Sequence, residues 1–127
     1  MKLWLDDVRP APDGYFWVKS VNTAKLVIME KEKTAQWASD QAYALESTGN
    51  FDLARRIGRV VLNSKIELID IDHDAGEYVE EGGDYIKLLD WLEETGRSYP
   101  IHIHSMNPVG VENMRRIIQK NGWTEVR

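Results

Sequence analysis

Glu67-Leu68-Ile69-Asp70-Ile71-Asp72-His73-Asp74 decides the fold. Leu68, Ile69 and Ile71 form a short apolar run bounded on its amino side by the breaker Asn63-Ser64, which predicts a buried strand over Glu67–Asp72 ending in acid. Moving toward the carboxyl terminus, Asp74 to Gly83 is a loop with three glycines. Asp84 to Thr95 then places Tyr85, Leu88, Leu89 and Leu92 on one helical stripe that Gly96 ends. Pro100 to Ser105 reads as a strand. Asn107 is placed to cap a helix starting at Pro108, whose Val111, Met114, Ile117 and Ile118 face inward until Gly122. Trp123 to Val126 reads as a final edge strand.

Toward the amino terminus, Leu53, Ile57, Val60 and Val61 keep helical spacing over 51–62, and Trp37, Ala38, Ala42 and Leu45 keep it over 34–49, stopping at Gly49. A further helix ends near Lys33. Asn22 is its expected N-cap, with Val21 and Leu26 as a hydrophobic staple. Tyr15 to Val21 and Lys2 to Leu5 are strands, separated by the turn-rich Arg9-Pro10-Ala11-Pro12-Asp13-Gly14. Strands alternating with helices predict an α/β sandwich with a mainly parallel sheet, whose ligands bind beyond the carboxyl ends of the strands.

Composition narrows the chemistry. The 127 residues suffice for a single domain, 1–127. There is no cysteine, which excludes a disulfide scaffold, a thiol nucleophile and a zinc finger. No wholly apolar run exceeds four residues, as at Leu26–Met29, far short of the ~18 residues of a membrane helix. The expected location is therefore cytoplasmic, with no membrane partner. The net charge of −5 is uneven: residues 1–63 carry nine basic and eight acidic side chains, residues 64–127 seven and thirteen. Eleven acids lie between Glu67 and Glu94 with Lys87 as the sole base, which argues against duplex nucleic acid as a partner. These acids form either a solvated helix face and acidic loop or, in part, a cation site.

Three predicted strand ends would meet at one edge: Asp6-Asp7 with Arg9, Asp72-His73-Asp74, and His104-Ser105 followed by Asn107-Pro108-Val109-Gly110. Four carboxylates in one crevice repel unless a proton or a Mg²⁺ or Mn²⁺ ion offsets them. The alternative for Asp6 or Asp74 is a turn cap. The helix start near Pro108 through Gly110 offers N–H groups to an anion, with Ser105, Asn107 and Arg9 as further donors. Asn107 as a plain N-cap and Arg9 paired with Asp13 are the competing readings. His73 or His104 is the candidate acid or base, with Asp74 beside His73; His102, deeper in its strand, reads as structural. Asp70-Ile71-Asp72 matches the haloacid-dehalogenase nucleophile motif weakly, since no Gly-Asp acidic motif follows. The paired histidine motifs of the 2H phosphoesterases and the zinc-binding histidine motifs are absent.

Leu3-Trp4-Leu5-Asp6-Asp7-Val8-Arg9-Pro10, Ile71-Asp72-His73-Asp74 and His104-Ser105-Met106-Asn107-Pro108-Val109-Gly110 together resemble the cyclic-phosphate processing receiver-like domains, relatives of response-regulator receivers. The resemblance spans nearly the whole chain. It implies a three-layer, flavodoxin-like α/β sandwich, with residues of about 33–64 as a helical insertion that would serve as a lid or a surface for a protein partner. By the same resemblance Asp6 and Asp7 match the receiver's metal-binding acids, Asp72 its phosphoacceptor position and Ser105 its switch residue. The receiver's lysine at the end of the last strand has no counterpart in Trp123–Arg127. The expected function is a metal-dependent phosphoesterase acting on a cyclic nucleotide or a 2′,3′-cyclic RNA end. The rivals are a non-enzymatic signalling or nucleotide-binding module and a small interaction protein with a vestigial site.

Overall fold

The computed structural model describes residues 1–127. Four parallel strands, β1 (Lys2–Leu5), β2 (Tyr15–Val18), β3 (Leu68–Ile71) and β4 (Ile101–Ile103), form one sheet in the order β2-β1-β3-β4. The helices are α1 (Val21–Ser47), α2 (Phe51–Ser64), α3 (Ile86–Glu94) and α4 (Pro108–Asn121), with a 3₁₀ turn at Gly76–Tyr78. This is the receiver-like parallel α/β arrangement expected from the sequence.

The register pairs Leu3 with Phe16 and Ile69, Leu5 with Val18 and Ile71, and Ile69 with Ile101. Because side chains alternate along a strand, these residues point to one face. All the sheet residues of the 17-residue apolar core come from that face, where Val21, Ala24 and Ile28 of α1, Leu88, Leu89 and Leu92 of α3, and Met114 and Ile118 of α4 close over them. The opposite face carries Lys2, Trp4, Tyr15, Trp17, Leu68, Asp70 and His102. A second helical layer there, implied by the three-layer reading, contributes nothing to this core. The cause is local: β1 joins its parallel neighbour β2 through residues 6–14 alone, a connection with no helix, where such crossovers ordinarily need about a dozen residues or more.

Several boundaries differ from expectation. β2 stops at Val18, and Ser20 rather than Asn22 caps α1, its Oγ accepting from Thr23 N–H at 3.1 Å. Asn22 N–H instead donates to Glu81 C=O, and Leu26 is 61% exposed, so there is no staple. No break occurs at Lys33: α1 runs unbroken to Ser47, because nothing between Lys33 and Ala35 interrupts the backbone ladder. The residues read as an insertion are thus the distal part of α1 and the whole of α2, which pack as an antiparallel pair. The final strand reduces to a single parallel bridge between Ile101 and Glu125. Asn107 does cap α4, and Gly122 ends it in the left-handed conformation at φ 66°.

Candidate active site at the carboxyl edge of the sheet

Each ladder continues one residue past its strand: Asp6 N–H donates to Val18 C=O, Asp72 N–H to Leu5 C=O and His104 N–H to Ile71 C=O. These bonds place Asp6, Asp72 and His104 side by side. One ligand atom from each lies within 4.8 Å of the others. Asp6 is fully buried, and its orientation is set by the short connection after β1: Oδ1 accepts from the N–H groups of Val8 at 2.9 Å and Arg9 at 2.7 Å. Oδ2 is left facing His104 Nε2 at 3.0 Å.

His104 is held on three sides. Nδ1 lies 2.6 Å from Asp70 Oδ1, Nε2 meets Asp6, and the ring stacks on Trp4 with centroids 3.8 Å apart and planes 3° from parallel. Trp4 is itself fixed by donating Nε1–H to Arg9 C=O at 2.9 Å. Asp70, part of the weak Asp70-Ile71-Asp72 match, and Trp4, part of the first motif, have no site role in the sequence reading. Their signal is the period of two: Asp70 shares a face with Asp72, and Trp4 with Asp6, but only the cross-strand pairing Trp4–Asp70–His102 shows that they meet.

The remaining candidates divide. Asp7 is not among the three converging residues; its carboxylate lies against Gly76, where an added Cβ would sit 2.1 Å from Oδ2. It shares the electrostatic neighbourhood all the same. Burial, and then the charges of Asp7, Asp6 and Asp72, push the phenol of buried Tyr85 well above its usual value, so it stays protonated and donates to Lys19 C=O. His73 sits at the same edge with Nδ1 2.9 Å from Asp74 Oδ1 and 3.5 Å from Asn107 Nδ2, while no protein group bonds its Nε2. Gly110 is buried under that ring, which a Cβ would approach to 2.5 Å. Asn107 Oδ1 accepts from Gly110 N–H at 3.0 Å and Ser105 Oγ from Asn107 N–H at 3.1 Å, so the first turn of α4 is partly capped by the chain itself. Ser105 also lines an open cleft of about 550 Å³ with Met106, Pro108, Val111, Glu112 and Arg115. The Arg9 side chain is exposed and makes no ion pair with Asp13.

No lysine or arginine pairs with Asp6, Asp7, Asp70 or Asp72; their only ionisable partner is His104. Buried Asp6 and half-buried Asp72, converging with His104, form a donor set suited to a divalent cation.

A parallel sheet of this order, with aspartates ending its two central strands, defines a receiver-like α/β domain. The chain belongs to the cyclic-phosphate processing Receiver domain family, whose sequence profile matches residues 1–120. No curated protein and no solved structure gives a significant match. No helix is long and apolar enough to cross a membrane.

Proposed function

We propose that this domain is a metal-dependent phosphoesterase that opens a cyclic phosphate, on a cyclic nucleotide or a 2′,3′-cyclic RNA end. The observation that carries the reading is the convergence of Asp6, Asp72 and His104 without a basic side chain to neutralise them. Asp6 and Asp72, with Asp7 beside them, are the acids that would hold Mg²⁺ or Mn²⁺. When bound, such an ion polarises a phosphoryl oxygen and makes its coordinated water more acidic. His73 is favoured over His104 as the proton carrier, because its Nε2 is free whereas both nitrogens of His104 are engaged. Asp74 orients His73 through Nδ1. In hydrolysis the water gives one proton to bulk solvent as its oxygen forms a new P–O bond, one ring P–O bond breaks, and the departing alkoxide takes a proton from the His73 imidazolium, which solvent then reprotonates. Asn107 Nδ2, Ser105 and Arg9 are the donors for the non-bridging oxygens, beside the α4 start at Gly110.

The test is turnover of a panel of 2′,3′-cyclic nucleotides, 3′,5′-cyclic nucleotides and cyclic-phosphate-ended oligoribonucleotides with Mg²⁺ or Mn²⁺. Divalent-dependent ring opening is expected, abolished by Asp72→Asn and slowed about 10²–10⁴-fold by His73→Ala. Absence of turnover across the panel by folded, metal-supplied protein overturns the reading.

A further inference from the structure

We propose that Asp70 and Trp4 hold His104 as a nitrogen ligand, so that the strand-end site takes a first-row transition dication such as Mn²⁺ in preference to Mg²⁺. This rests on reading the edge as a cation site. Asp70 acts here as a positioning residue, through His104.

Three observations carry it. First, both ring nitrogens of His104 face carboxylates, Asp70 at 2.6 Å and Asp6 at 3.0 Å. A neutral imidazole has one N–H. With that proton on Nδ1, toward buried Asp70, the Nε2 lone pair and Asp6 Oδ2 face each other as two donor atoms, the arrangement a cation between them requires. Second, the spacing fits. Neighbouring ligands of an octahedral ion with bonds of about 2.1 Å stand about 3 Å apart, and Nε2 lies 3.0 Å from Asp6 Oδ2, with an Asp72 oxygen inside the same 4.8 Å group. Third, the ring is not free to turn away. Trp4 lies flat against it at 3.8 Å, and Trp4 is anchored to Arg9 C=O. A carboxylate behind a ligating histidine fixes its tautomer and raises its basicity.

The donor set follows as one imidazole nitrogen and two carboxylates. Mg²⁺ prefers oxygen alone and holds its waters, whereas imidazole favours transition dications. The acidic pair alone, without His104, would suit Mg²⁺ as well as Mn²⁺.

The experiment titrates the full chain with MnCl₂ and with MgCl₂, following binding by calorimetry and by thermal shift, and records pulsed electron paramagnetic resonance of the Mn²⁺-loaded protein. The expected result is Mn²⁺ affinity at least tenfold above Mg²⁺, with a ¹⁴N coupling from a directly bound imidazole that disappears in His104→Gln. Asp70→Asn, of equal size, is expected to weaken Mn²⁺ binding about 10–100-fold while leaving Mg²⁺ binding within twofold; a purely structural role for Asp70 would weaken both alike. Mn²⁺ bound without ¹⁴N coupling in the unsubstituted protein overturns the proposal and leaves the cation site standing. Loss of both metals in parallel in Asp70→Asn also overturns it. Failure of both metals to bind the unsubstituted protein removes the cation site itself, and the proposal with it.

Discussion

At Gly110 the site leaves no room for even a methyl group. The position is helical, so alanine suits the local backbone and would add up to about 1 kcal/mol of helix stability. Its Cβ, however, would lie 2.5 Å from His73 Cγ and Cδ2. Overpacking at that distance costs about 1–3 kcal/mol, more than the helix gain, so Gly110→Ala is expected to lower the melting temperature modestly and to displace the imidazole from Asp74, seen as a shift of the His73 ring resonances together with lost turnover. A native His73 spectrum in that variant would show that the ring does not depend on the glycine. The acids at strand ends were readable in the sequence because each closes an apolar run, and a charge just past a buried strand marks the sheet edge. Asp70 and Trp4 were not, since their partners are 34 and 100 residues away along the chain; register, not local pattern, brings them to His104.

At the scale of elements, α1 illustrates what periodicity can and cannot locate. Its helical character was legible throughout, but its cap and its length were not. Ser20 and Asn22 are equally good capping types; Ser20 takes the cap, and the Glu81 carbonyl accepts the Asn22 N–H, a first-turn donor with no partner within the helix. Midway along α1, Glu32 ties the helix to the segment before β4. Arg97 Nε donates to both of its oxygens at 3.0 Å, and the Tyr99 hydroxyl donates to Oε2. Burial raises the carboxyl's proton affinity, but the bonds from Arg97 and Tyr99 and the Arg97 charge outweigh it, holding Glu32 below the ordinary value of 4.5. A carboxylate lowered in the folded state stabilises it above the unfolded value, and this is lost as pH falls through the lower folded one. Glu32→Gln should thus lower the melting temperature at pH 7, and the gap from the unsubstituted protein should narrow as pH drops below about 4.5. A gap constant from pH 7 to pH 3 would refute the charge argument.

For the molecule as a whole, the alternation of strands and helices was enough to read a parallel α/β domain, because the apolar stripes of α3 and α4 are uninterrupted. The one-sided placement of the core was not readable. Residues 6–14 look like an ordinary loop, and nothing in their composition says that they replace a helix. One consequence concerns stability. With a single apolar layer joining α1, α3, α4 and the sheet, a hole in it is felt by each of these elements. Leu89, fully buried in that layer, is expected to lose about 2–5 kcal/mol on substitution by alanine, measured by urea unfolding. A loss below 1 kcal/mol would place Leu89 outside the cooperative core. The nine-residue tie between β1 and β2 has a different bearing. The backbone amides of Val8 and Arg9 in that tie also clasp the Asp6 carboxylate, so chain closure and placement of Asp6 are one event. Lengthening this tie by a few residues would free Asp6 from a cluster whose other members, Asp70, Asp72 and His104, the neighbouring strands still hold.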